Sequence, residues 1–113
     1  MVNHKDALAL WLTNEYGDAV VPEYRFHDKR RWRFDYAIPE LDGVPVKVAI
    51  EFDGVVSHSA HTSITNVLND STKFNEAALL GWIVIRTNTP NLRDGSGYQA
   101  IERAVTARKE RAA

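Results

Sequence analysis

Hydrophobic and polar positions follow two rhythms along the chain. From Asp6 to Tyr16, the residues Ala7, Leu8, Trp11, Leu12 and Tyr16 recur near the helical period and Gly17 follows as a stop, so the spacing predicts an amphipathic helix. After Pro22 the rhythm changes. "EYRFH" and "RWRFDYAI" read as two strands joined by the charged turn "DKRR". The second alternates with a period of two: Trp32, Phe34, Tyr36 and Ile38 fall on one face, and Arg33, Asp35 and Ala37 on the other. "PELDGVP" carries the Asp-Gly and proline punctuation of a hairpin connection. In the next strand, "VKVAIEFD", Val46, Val48, Ile50 and Phe52 share one face, which leaves Lys47, Ala49, Glu51 and Asp53 on the opposite one.

"VVSHSAHTS" reads as a loop, and Ser63 or Thr65 can cap a long helix that runs to about Leu80 and stops at Gly81, with Val67, Phe74 and Ala78 as its core stripe. "WIVIRTN" is β-branched and nearly all apolar, as expected of a strand in the middle of a covered sheet. "TPNLRDGSG" reads as loop, and a last helix from about Tyr98 turns Tyr98, Ile101 and Val105 inward. The order is helix, three strands, helix, strand, helix. It predicts an α/β fold, with helices flanking a small mixed sheet.

Composition narrows the function classes. A chain of 113 residues, 44% hydrophobic and 26% charged, is expected to form a single domain, 1–113, with one core. The absence of cysteine excludes disulfides and thiolate metal sites and suits a reducing compartment. No apolar run approaches the ~20 residues that span a bilayer, and "MVNHKDALAL" lacks a signal-peptide core, so a cytoplasmic protein without a membrane partner is expected. The net charge of −1 gives no overall attraction for a polyanion. Local charge differs: "YRFHDKRRWR" sets Arg25, Lys29, Arg30, Arg31 and Arg33 against Asp28 alone.

The chemistry concentrates on carboxylates placed in strands. If the two central strands pair as a hairpin, side-chain parity puts Asp35 beside Glu51 and Asp53. Three crowded anions raise one another's pKa and cost stability, so the arrangement asks for a cation. Magnesium or manganese suits carboxylate oxygens and leaves positions for water and a phosphate. On the long helix Asn66, Asp70, Lys73 and Ala77 form one continuous face, which lets Lys73 orient an attacking water or steady charge on a phosphodiester. His58, His61 and Thr62 in the preceding loop are candidates for acid/base or phosphate contacts. Each feature also has a plainer reading: solvated strand ends, a surface i,i+3 pair for Asp70 and Lys73, solvated loop histidines, a solvated basic turn and three core tryptophans.

The blocks "EYRFHDKRRWRFDYAIPE", "VAIEFDG" and "HTSITNVLNDSTKFNEAALLGWIVIR" together resemble the small phage and prophage endonucleases of the PD-(D/E)XK superfamily, of the Vsr-like and VRR-NUC-like kinds. The resemblance covers about residues 22 to 87. It implies a restriction-endonuclease-like αβββαβ core, with Asp35 as the first metal-binding Asp and Glu51 as the acidic residue of the (D/E)-x-K element. Position 53, where that element carries Lys, is Asp here, and Lys73 on the following helix stands as the replacement.

The expectation is a magnesium- or manganese-dependent endodeoxyribonuclease. Asp35, Glu51 and Asp53 would be the metal ligands and, with Lys73, the catalytic set. Arg30, Arg31, Arg33, His61 and Thr62 would hold DNA, with binding that weakens as salt rises. A chain of this size without a separate reading domain implies selection by DNA structure (junction, flap or mismatch), or help from a homodimer or another subunit. The alternative is a non-catalytic nucleic-acid-binding or interaction module that retains the nuclease fold; a third reading is a hydrolase of small phosphoesters.

Overall fold

Asn3 starts the first helix, its side chain accepting the Asp6 N–H at 3.1 Å, and Gly17 at φ 57° ends it. The helix, α1, spans His4–Tyr16 and buries Leu8 and Leu12. The computed structural model describes residues 3–54 and 64–112. A 3-10 turn, Gly17–Ala19, leads into β1 (Val21–Arg25), followed by β2 (Arg33–Ile38) and β3 (Val48–Phe52). Then come α2 (Ile64–Leu79), β4 (Ile83–Thr87), α3 (Thr89–Asp94) and α4 (Ser96–Ala112). The four strands form one mixed sheet in the order β1-β2-β3-β4, antiparallel except for the parallel pair β3 and β4. The result is a mixed α/β architecture with helices on both faces of the sheet.

One face of the sheet carries the larger core. Ile38, Val46, Val48 and Ile50 pack there with Leu8 and Leu12 of α1 and with Ile101 and Val105 of α4. This agrees with the alternation read from "VKVAIEFD" and with the stripe read for the last helix. The opposite face is built from small residues: Ala37, Ala49 and Ala77, with Phe34 and Trp82 closing the end. Alanines on two strands and on the helix let α2 lie close to the sheet, a closeness that the site depends on.

Four expectations are corrected. Ala77, not Ala78, is the buried alanine of α2; Ala78 is exposed. β4 lies at an edge rather than in the middle of the sheet, and its apolar character follows from burial by helices on both faces, which does not require strands on both sides. "TPNLRDGSG" contains α3, because the Asn88 side chain caps it by accepting the Asn91 N–H at 2.9 Å and Pro90 suits its first turn.

The fourth correction concerns β2. Tyr36 and Ile38 face α1 and α4, whereas Phe34 joins Ala37 on the α2 face. Backbone pairing of β2 with β3 stops at Tyr36↔Ile50, and the next N–H of β3 that faces β2, that of Phe52, is taken by the Asp35 carboxylate at 2.8 Å. Across β1, the residue between the partners of Tyr36 and Phe34 is Glu23, at φ 50°. The two irregularities lie side by side, and the strict alternation fails between them.

At the far end of β4, Thr87 is fully buried and its hydroxyl has no partner among the described residues. A Cβ on Gly97 of α4 would overlap that hydroxyl and press on Leu92 Cδ2 at 3.1 Å. Gly97→Ala is therefore expected to destabilise by about 1–3 kcal/mol through overpacking. Thr87→Val, which removes an unsatisfied hydroxyl of similar shape, is expected to be neutral or stabilising by up to about 1–3 kcal/mol. Urea midpoints of the two variants against the parent check both signs.

Candidate active site

The site grows from the place where β2 parts from β3. The register that pairs Ala37 with Ala49 places Asp35 opposite Glu51 on the same face. Instead of continuing the ladder, Asp35 turns its carboxylate to the Phe52 N–H, with Oδ2 accepting at 2.8 Å. The Glu51 side chain lies close enough that, when protonated, it can hydrogen-bond the Asp35 carboxyl. Glu51 is 8% exposed and is one of two buried polar or charged residues among those described, the other being Thr87.

Lys73 completes the group from the helix above. Ala77 of α2 sits against the alanines of the sheet, and Lys73, one turn earlier on the same helix face, reaches down to Glu51. Its Nζ donates to Glu51 Oε1 at 2.6 Å, and the ammonium lies 5.9 Å from the centre of the Phe34 ring and 5.4 Å from that of Phe74. Asp35, Glu51 and Lys73, expected together from side-chain phase and from the family resemblance, are thus neighbours in space. Asp70 is exposed.

The Glu51 carboxyl is pushed up to about 7 by burial, with the charge of Asp35 and a hydrogen bond to it adding to the rise. The hydrogen bond and charge of Lys73 act the other way. A lysine at 2.6 Å ordinarily holds a carboxylate below its usual range; here desolvation prevails.

Asp53 does not join this group, which corrects the expected three-carboxylate cluster. The carboxylate is held by Arg86 of β4, with Nε donating to Oδ2 and Nη2 to Oδ1, both at 3.1 Å. No group of three or more carboxylate or histidine side chains suited to a metal occurs among the described residues. The reason lies in a strand that sequence phase did not connect to Glu51: parallel pairing sets Arg86 directly beside Glu51, and its guanidinium reaches the next acidic residue along. Arg86 was legible only as the single charge in "WIVIRTN". Its partner was not.

The basic turn is ordered by a residue that sequence reasoning passed over. His27 Nδ1 accepts the N–H of Lys29 at 3.1 Å and of Arg30 at 3.0 Å, which fixes the turn after β1, and its Nε2 lies 3.9 Å from Glu76 of α2. Arg30, Arg31 and Arg33 are all exposed, and the Arg30 guanidinium lies 4.9 Å over the Trp32 ring. Phe26 stacks between Trp32 and Phe34, which links this turn to the ring beneath Lys73. His58, His61, Thr62 and Ser63 lie outside the described residues, as do the side chains of Thr65, Asn66 and Val67.

No family model, curated protein or solved structure matches the chain. No described helix is long and apolar enough to cross a membrane.

The Glu51 carboxyl sets a pH dependence. Its folded pKa, about 7, exceeds the ordinary 4.5, so between these values the folded chain binds the extra proton. Stability from this group is fully present below pH 4.5 and is lost as pH rises through 7, by up to about 3 kcal/mol. Melting temperatures from pH 4.5 to 8 in EDTA are expected to fall in the parent and to fall less in Glu51→Gln.

Proposed function

We propose that the chain is a metal-dependent endodeoxyribonuclease with a restriction-endonuclease-like core, acting on DNA of altered structure such as a junction, flap or mismatch. One observation carries the reading: a buried glutamate and a neighbouring aspartate, from adjacent strands, meet a helix-borne lysine where the strands part. The element order α1, β1, β2, β3, α2, β4 is the one that the PD-(D/E)XK resemblance implies, and it supports the same reading.

The donor set suits a hard divalent cation. One oxygen of each carboxylate is committed, Asp35 Oδ2 to the Phe52 N–H and Glu51 Oε1 to Lys73. When both are ionised, the hydrogen bond between the two carboxyl groups is lost and their facing oxygens are left to a cation; magnesium is commonly held through one or two carboxylates. Asp35 and Glu51 would hold the ion, which would supply a bound water of lowered pKa and positive charge beside a phosphodiester.

The chain's own groups do the rest. Burial of Glu51 excludes water from one side of the carboxylate pair and strengthens its interactions with charge. The Phe52 N–H fixes the orientation of Asp35. Lys73, set over Phe34 and Phe74, presents a fixed ammonium that can orient a nucleophilic water or face the developing negative charge of the phosphate. Arg30, Arg31 and Arg33, exposed around the turn that His27 orders, offer positive charge to the DNA backbone.

A second reading has its own observation. Both Glu51 and Asp53 are already paired with cations of the chain, Lys73 and Arg86, as in a fold that binds nucleic acid without cutting it.

Purified protein incubated with supercoiled plasmid and manganese is expected to nick it, with activity abolished in Asp35→Asn and Glu51→Gln and reduced about 10²–10³-fold in Lys73→Met. Equal cutting by all four proteins would indicate a contaminant. DNA binding without cutting, across branched, mismatched and linear substrates, would favour the non-catalytic module. A small chromogenic phosphodiester turned over faster than DNA would indicate a phosphoester hydrolase. Magnesium is expected to raise the melting temperature of the parent at pH 8 and of neither carboxylate variant.

A further inference from the structure

The Asp53 and Arg86 pair is unexplained by the carboxylate site, yet it stands at its edge. Parallel pairing puts Glu51 and Arg86 at one level on neighbouring strands, about 4.8 Å apart along the hydrogen-bonding direction, with both side chains on the α2 face. The guanidinium lies over the Phe74 ring at 4.6 Å and is gripped at Nε and Nη2 by Asp53. The fork is thus held from two directions, while 48% of the side chain stays open to solvent.

We propose that Arg86 is a phosphate-binding group, the guanidinium N–H donors that Asp53 does not engage taking a non-bridging oxygen of the DNA backbone next to the carboxylate pair. A guanidinium has five N–H donors in a rigid plane, of which Asp53 engages two; the other three have no partner among the described residues and can be directed at an oxyanion. An ion pair this open to water adds little to the stability of the fold, so holding the guanidinium in place leaves its remaining donors available to a ligand. Lys73 is less open, at 16% exposure with Glu51 as its partner, so of the two cations Arg86 is the more accessible.

The inference deepens the nuclease reading by assigning the contact that places the phosphate, and it gives Asp53 a positioning role at the motif's lysine position. DNA binding requires no cleavage, so the two ideas separate experimentally. Fluorescence anisotropy of a labelled branched oligonucleotide, titrated in EDTA over a range of salt concentrations, measures the slope of log K against log salt. Loss of one phosphate contact should lower that slope by about 0.9 in Arg86→Ala, with at least about tenfold weaker binding at low salt. Arg86→Lys, which keeps the charge and loses the fork, should keep the slope and weaken binding.

If Arg86→Ala shows no melting transition, Arg86→Gln replaces it, with the same slope expected. An unchanged slope in a folded neutral variant, or no DNA binding by the parent, overturns the assignment. A lowered slope together with a parent that never cuts DNA leaves the Arg86 site standing and removes the nuclease reading. Cutting that depends on Asp35 together with an unchanged slope does the reverse.

Discussion

Glu51 occupies the least comfortable position in the molecule, and the rest of the site is arranged around it. Taking a carboxylate out of water costs several kcal/mol, and the lysine at 2.6 Å does not recover all of it, since the acid is held up near pH 7. A fold selected for stability alone would be served as well by an apolar side chain at this point, as Val48 and Ile50 serve the other face. Strong perturbation from burial, with a second carboxylate alongside, is the physical ground on which the proposed role of Glu51 rests.

Two features of the backbone create that position. Small residues bring α2 onto the sheet, so Lys73 arrives one turn from Ala77 at the level of Glu51. A larger side chain at Ala37, Ala49 or Ala77 would lift the helix and separate the pair. The second feature is the break between β2 and β3, where a side chain of β2 takes a hydrogen bond that a regular ladder would give to its backbone. That substitution both opens the strands and holds Asp35 in one orientation beside its neighbour.

The two ion pairs at the site differ in character. Glu51 with Lys73 is largely removed from solvent, so breaking it by removing either member leaves an uncompensated group. Asp53 with Arg86 is open to water, and its worth to the fold is small. The first fixes geometry. The second holds a cation in a defined place at little cost, and the aromatic stack of Trp32, Phe26 and Phe34 ties the basic turn to the same region.

Much of the fold was legible because helical and strand periods are local properties. The first and last helices, the hairpin turn at Asp42 and Gly43, and the inward face of Val46, Val48, Ile50 and Phe52 are all carried by residues close in sequence. So was the phase that sets Asp35 and Glu51 on one side. Period two tells which face a side chain takes while the strand stays regular; it is silent where the pairing breaks, and Phe34 was therefore assigned to the wrong side. Nor does it say which strand lies alongside. Asp53 shares the phase of Glu51, and only the parallel register of β3 and β4 brought it Arg86, 33 residues away, and took it out of the carboxylate group. Sequence determined which charges the chain would place on the sheet; tertiary pairing decided which of them would meet, because register between distant strands is settled by packing of the whole sheet against its helices.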